Sequence, residues 1–234
     1  MNEIALNAVL FKGFFVAGKL KSPRIGEFPF YPDFRILFSR IEKLEIIGEE
    51  LAKNILPLKP DLIASREAAG VPFGVATALR GKVNFLYLRK EPKGYNTNNM
   101  IEGLYEPGQT VMVVDDAVST GGDKKKIVET LEQAGLKVLG IAVVMDSFYG
   151  QQYRQDQEWL RRNDPYHFIS LFTWPELMDY AADQKFFGRE LCQVVKEWLN
   201  NPLIWQTKEE NWQKFKALAL KEKNLNFHPS FKTI

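Results

Sequence analysis

The sequence predicts an α/β protein, a parallel sheet with helices on both faces, followed by a C-terminal helical extension. Three observations carry this. Leu62–Ala64, Val83–Leu88, Val111–Val114 and Val138–Met145 are apolar at consecutive rather than alternate positions, which marks strands buried on both faces. Helical spacing fills the segments between them, the pattern of strands joined by crossover helices. The strands also run into acidic or small residues, Glu67, Asp115, Asp116 and Asp146, at the carboxyl edge where such sheets bind ligands.

At the start, Phe11, Phe14, Phe15 and Val16 suggest a helix end followed by a hairpin or strand. Leu20–Arg35 contains Pro23, Pro29 and Pro32, which excludes a helix and reads as a structured loop entering a short strand. In Ile41–Ile55 the residues Leu44, Ile47, Leu51 and Ile55 share one face while Glu45, Glu49 and Glu50 lie elsewhere, an amphipathic helix ended by Pro57 and Pro60. After Leu62–Ala64 a small-residue loop, Glu67–Gly70, leads into a helix with Pro72 near its first turn. Arg89–Gly103 is polar and aperiodic, a length of loop that tends to be functional or disordered. Further on, residues 151–163 are polar and helix-compatible, His167–Phe172 is a short strand and Pro175–Phe187 is helical. Trp198, Trp205 and Trp212 recur every seven residues, but Pro202 breaks that register, so they are expected to anchor the extension rather than form a ligand box. The chain thus divides into a domain over 1–187 and a Trp-rich helical extension over 188–234.

With 234 residues, 45% hydrophobic and 26% charged, the chain is long enough for a substantial core. A net charge of +2 gives no reason to expect nucleic acid or an acidic membrane as partner. The single cysteine, Cys192, excludes an internal disulfide and a Cys-rich metal site. No apolar run reaches the length of a membrane span, and MNEIALN lacks the form of a signal peptide, so a cytoplasmic location is expected.

The chemistry concentrates in Thr110–Asp123, TVMVVDDAVSTGGD. An apolar strand ends in two carboxylates, Asp115 and Asp116. Ser119-Thr120-Gly121-Gly122 follows, then a helix with Ile127, Val128, Leu131 and Ala134 on one face and Gly135 at its end. Free N–H groups at a helix start favour an anion, and adjacent acids suit a ligand with hydroxyls and a metal. A ribose phosphate meets both conditions. No Gly-Lys-Ser/Thr closes the loop, which excludes a Walker sequence. A plain strand–helix turn with an acidic rim is the other reading of the same residues.

This stretch resembles the phosphoribosyl-pyrophosphate (PRPP) motif of type I phosphoribosyltransferases. The order of other segments is similar to the orotate branch: Leu20-Lys21-Ser22, FPFYPDFR (Phe28–Arg35), Arg89-Lys90-Glu91-Pro92-Lys93, Ile101-Glu102-Gly103 and SLFTWPEL (Ser170–Leu177). The resemblance implies transfer of ribose 5-phosphate from PRPP to a nucleobase with loss of pyrophosphate, Mg²⁺ as cofactor and a homodimer. It implies Lys93, Asp115 and Asp116 as catalytic residues, with Asp115 and Asp116 also serving the metal. PRPP is assigned to Arg89, Lys90, Lys93, Asp115, Asp116, Ala117, Val118, Ser119, Thr120, Gly121, Gly122 and Asp123. The base is assigned to Lys21, Tyr31, Ser119 and Ser147.

Three positions depart from the family pattern. Tyr95 stands where the loop has a His, Ser147 where an Arg grips the acidic base, and Ala69 where many relatives place a cation before Gly-Val-Pro. The PRPP half of the site is therefore better preserved than the base half. A PRPP-binding regulator without catalysis is the alternative that Tyr95 and Ser147 favour, whereas Arg89, Lys90 and Lys93 favour the enzyme; an assembly protein using its Trp-rich segment is a third reading.

Overall fold

The computed structural model describes residues 2–23, 25–91, 99–119, 121–147, 158–159 and 166–234. The chain opens with α1 (Glu3–Val9), followed by a hairpin of β1 (Phe15–Ser22) and β2 (Gly26–Pro32). The expected loop over Leu20–Arg35 is therefore mostly strand. Pro29 and Pro32 sit in β2 because it is the edge strand of a three-stranded sheet, where a missing N–H leaves no ladder bond unmade. Asp33 then caps a short 3₁₀ turn, Phe34–Ser39, that leads to α2 (Ile41–Ile55). Leu44, Ile47, Leu51 and Ile55 are buried, as their spacing predicts.

The main sheet comprises β3 (Leu62–Arg66), β4 (Asn84–Leu88), β5 (Ile101–Glu102), β6 (Thr110–Val118), β7 (Lys137–Asp146) and β8 (His167–Thr173). Their spatial order is β5-β4-β3-β6-β7-β8, and every pair is parallel except β4 with the short edge strand β5. Helix α3 (Gly70–Gly81) connects β3 to β4, and α4 (Gly122–Gln133) connects β6 to β7. Strand residues alternate between two cores. Ile63, Met112 and Val114 join Leu44, Ile47 and Phe73 on the side of α2 and α3, whereas Leu62, Ala64, Val111 and Val113 join Ile127, Val128 and Leu131 of α4. Both faces being covered is why these strands read as continuous apolar runs.

Chain order fixes where a ligand can enter. From β3 the chain moves outward to β4 on one side, then returns to β6 on the other, so the direction of winding reverses between β3 and β6. Their pairing stops at Ala64 opposite Val113, and beyond it the two strands diverge.

After β8, Thr173 and Glu176 form a capping box that starts α5 (Trp174–Asp183). Then come α6 (Arg189–Asn200), α7 (Pro202–Trp205), α8 (Glu209–Ala219) and β9 (Leu225–Phe227). Strand β9 pairs in parallel with β1, completing the small sheet. Trp198 stacks on Phe28 of β2 with ring centroids 6.1 Å apart, and Trp205 meets Trp212 edge-on at 5.1 Å. Gln206 closes the open turn of the hairpin: its Oε1 accepts the Glu27 N–H at 2.5 Å and its Nε2 donates to the Ile25 carbonyl at 3.2 Å. Residues 188–234 thus hold β1 and β2 through a strand, a ring stack and a side-chain amide. Among the described residues no helix is long and apolar enough to cross a membrane.

Candidate active site

Strand β6 does not stop at Val114. It continues to Val118, paired now with β7 alone, with Asp115 opposite Val143, Ala117 opposite Met145 and Val118 opposite Asp146. The acids hide this extension from a reading based on apolar runs, because ladder hydrogen bonds do not require apolar side chains. Val118 is consequently buried in the core beneath α4, and Ala117 lies in the strand rather than in a phosphate loop.

The acid pair is held locally. Asp115 accepts the Asp116 N–H at 2.9 Å, and Asp116 accepts the Ala117 N–H at 2.7 Å. Asp115 also accepts a charge-assisted bond from Lys124 in the first turn of α4. Gly70 presses against it from the other side: a Cβ at that position would lie 2.6 Å from Asp115 Oδ1, so only glycine permits the approach. Asp116 keeps its proton more tightly, with a pKa pushed up to about 7. Burial is the main cause and the charge of Asp115 adds to it, while Lys124 works in the opposite sense.

Two helices begin beside these acids. Neither α3, which starts at Gly70, nor α4, which starts at Gly122, is capped by the side chain of its N-cap residue, Ala69 or Gly121, and a helix start of this kind favours an anion. Gly121 precedes α4 at φ 79°, a left-handed conformation that turns the chain from strand into helix. Together they frame a cleft of about 310 Å³ whose wall includes Gly70, Asp115, Asp116 and Asp123. Its cations are Arg35, Arg66, Lys90 and Lys124. A larger groove of about 650 Å³ lies among α5, α6 and α8, but the lysines lining it are already paired, Lys196 with Asp179 at 2.5 Å and Lys214 with Glu197 at 3.8 Å.

Of the residues singled out from the sequence, Lys90, Asp115, Asp116 and Asp123 line the cleft. Gly121 and Gly122 form its helix start, and Ser119 lies just beyond the end of β6. Lys93, Thr120 and Tyr95 lie outside the described residues. Arg89 points elsewhere, 3.2 Å from Glu102 and from the Tyr87 hydroxyl. Tyr31 is half-buried and close enough to Asp116 to feel its charge; burial raises its phenol pKa, and Arg35, 3.5 Å from its hydroxyl, works against the rise. Lys21 is not brought into the cleft. It stands exposed on β1, 3.9 Å from Glu27. Ser147 is only 4% exposed at the end of β7, and its N–H donates to the Val118 carbonyl at 2.9 Å.

Arg35, Arg66 and Lys124 were not singled out for the site from the sequence. Lys124 carried a signal: a lysine in the first turn of a helix opposes the helix dipole and calls for a carboxylate partner. Arg66 ends the otherwise apolar or small run LIASR, at the edge where ligands bind.

An acid pair beside two helix starts, at the reversal point of a parallel sheet, places the protein among the α/β folds that bind ligands at the carboxyl edge of the sheet. The chain belongs to the phosphoribosyl transferase domain family, whose family model matches residues 38–177. It is similar to the orotate phosphoribosyltransferase of Listeria innocua, 31% identical over 179 residues, covering 76% of this chain and 83% of that one. Among solved structures it resembles the Leishmania donovani UMP synthase, with a TM-score of 0.71 and 25% identity over 83% of this chain; the match spans 41% of that longer protein. It also resembles the orotate phosphoribosyltransferase of Aeropyrum pernix, with a TM-score of 0.61 and 25% identity, covering 71% of this chain and 92% of that one.

Proposed function

We propose that the protein transfers ribose 5-phosphate from PRPP to orotate or a related nucleobase and releases pyrophosphate. The observation that carries this is Asp116, facing the cleft between the starts of α3 and α4. The two helix starts give two anion positions on either side of a carboxylate, matching a molecule with phosphate at one end, pyrophosphate at the other and hydroxyls between. The base nitrogen attacks C1 of the ribose as the bond to pyrophosphate breaks. Charge grows on the ring and on the leaving group, so the residues act by electrostatics: carboxylates near the ribose and cations at the departing oxygens. Lys90 and Lys93 are the proposed loop cations, with Arg89 released from Glu102 as a third.

The donors present fit Mg²⁺ that arrives with the substrate. Two neighbouring carboxyls, one binding a proton near neutral pH, form an all-oxygen pair that a hard cation would complete. Among the described residues no cluster of three His, Cys, Asp or Glu makes a cage, so phosphate, hydroxyl and water oxygens would supply the other ligands. Asp116 would supply the charged ligand to the ion and Asp115, already paired with Lys124, a second oxygen beside it, and the ion's charge would offset that developing on the pyrophosphate. We further infer a cytoplasmic homodimer of the kind the family resemblance implies.

The non-catalytic PRPP-binding alternative is favoured by Tyr95 and Ser147, but Lys90 at the cleft supports catalysis. The deciding experiment measures pyrophosphate release from PRPP against a panel of bases, with and without Mg²⁺. Release with at least one base supports the transferase. PRPP binding without release from any base would favour the regulator.

A further inference from the structure

Residues 188–234 hold the hairpin of β1 and β2 from three directions. Strand β9 pairs along β1, and the His228 N–H continues the contact by donating to the Ala17 carbonyl at 2.9 Å. Gln206 holds the turn. The third hold is on β2 itself, where Trp198 of α6 lies against Phe28 with the ring planes 29° from parallel. Trp198 is fully buried, and Trp174 of α5 meets it edge-on with centroids 5.4 Å apart. A large ring packed in this way keeps one rotamer and gives Phe28 a fixed wall to rest on.

Phe28 has a second aromatic neighbour. Its ring meets that of Tyr31, three residues further along β2, at 6.3 Å and an angle of 62°. The Tyr31 hydroxyl is in turn the one side-chain hydrogen-bond partner of the Arg35 guanidinium among the described residues, over a long 3.5 Å. Arg35 is exposed and lines the cleft. An exposed arginine samples many rotamers, and one long bond narrows them only when the acceptor is itself held in place. The strand holds the backbone of Tyr31, and its ring is held by the half-buried Phe28, which leans on Trp198. A line of contacts therefore runs from the interior of the C-terminal extension to a cation of the cleft: Trp198, Phe28, Tyr31, Arg35. None of the four lies within residues 38–177, the stretch that the family model matches.

We propose that Trp198 and Phe28 are positioning residues for the base: they set the Tyr31 ring, and through it the direction of the Arg35 guanidinium in the cleft. Neither lines the cleft itself. The proposal rests on the phosphoribosyl-transfer reading and deepens it, because it gives the C-terminal extension a part in aiming Arg35 at the carboxylate of an acidic base such as orotate.

Steady-state pyrophosphate release by the full chain tests this, with orotate and PRPP varied in turn. Phe28→Leu removes the flat ring at a half-buried position. It raises KM for orotate about three- to tenfold, within the range one aromatic pair spans, while KM for PRPP changes by less than about twofold. Phe28→Tyr keeps the ring and stays within about twofold of wild type for both substrates. Trp198→Phe shifts KM for orotate in the same direction as Phe28→Leu, and the double variant adds little to the larger single effect, as two residues on one path require. The two Phe28 variants decide the matter even where the lost indole volume unfolds Trp198→Phe. Variants that lower only Tm or kcat, with KM for orotate unchanged, overturn the proposal, since packing alone would do that. Equal rises in KM for both substrates also overturn it, because they mark a cleft loosened as a whole. Wild type that releases pyrophosphate with other bases but not with orotate overturns it and leaves the transferase reading standing. Wild type with no release from any base removes both.

Discussion

Lys124, in the first turn of α4, pairs with Asp115 on β6, and both side chains are only 10% exposed. The first acid of the motif is therefore neutralised within the protein, while the second, Asp116, has the raised proton affinity. The adjacent acids look equivalent in the sequence and are not. Asp115 ties the end of a strand to the start of the next helix; Asp116 is the carboxyl whose charge is available to a ligand.

Breaking that pair should be costly. Lys124→Met leaves a buried carboxylate without its cation, and we expect a loss of about 3 kcal/mol in urea unfolding. Lys124→Arg, which keeps the charge, should lose less than half as much. Equal stability for wild type and Lys124→Met would show that Asp115 is solvated well enough to need no partner.

Asp116 gives a pH dependence with a definite sign. Its pKa in the folded chain, about 7, lies above the ordinary carboxylate value, so the folded form holds this proton more tightly than the unfolded form. Its contribution to stability is complete below the unfolded pKa and disappears as pH rises through 7. Ligand binding runs the other way, because ribose hydroxyls and a cation favour the carboxylate. PRPP affinity should rise between pH 6 and pH 8 and then level off, with Asp116→Asn both weaker and flatter. A wild-type affinity that falls over that range would contradict the assignment of Asp116 to the ligand.

Much of this was legible in the sequence because it rests on periodicity and local chemistry. The consecutive apolar residues of β3, β6 and β7 and the spacing of Leu44, Ile47, Leu51 and Ile55 are direct imprints of burial. The acid pair followed by a glycine tract carries its own anion-binding logic. What escaped depended on distant partners. Strand β9 has three residues and exists because β1 offers it an edge, far away in sequence. Pro29 and Pro32 excluded a helix, but that they lie within a strand follows only from the edge position of β2. Arg66, Arg35 and Lys124 converge on one cleft from three different elements, which no spacing in the chain reveals.

Gln206 makes the C-terminal segment part of the hairpin's support. Its amide accepts from Glu27 and donates to Ile25, so Gln206→Leu leaves both backbone groups without these bonds. We expect a loss of about 1–2 kcal/mol in stability. Amide hydrogen exchange at Glu27 should accelerate, while residues of the main sheet such as Val113 keep their protection. Unchanged exchange at Glu27 would mean that the turn holds its shape without Gln206.

The last prediction concerns the base. Lys21, the cation that the family resemblance assigns to it, is exposed and lies 3.9 Å from Glu27. Ser147 is buried just past the end of β7. The cation that does line the cleft next to Tyr31 is Arg35, placed there by the 3₁₀ turn that Asp33 caps, with its guanidinium 3.5 Å from the Tyr31 hydroxyl. A guanidinium at that position suits the carboxylate of orotate, while uracil, which lacks the carboxylate, gains little from it. Losing such a contact costs about 1–3 kcal/mol, roughly five- to more than a hundredfold in affinity. Arg35→Ala should therefore raise KM for orotate by at least fivefold and shift the preference between orotate and uracil toward uracil. Lys21→Ala should leave that preference where it is. A shift in preference caused by Lys21→Ala and not by Arg35→Ala would mean that the hairpin moves to carry Lys21 to the base when the substrates bind.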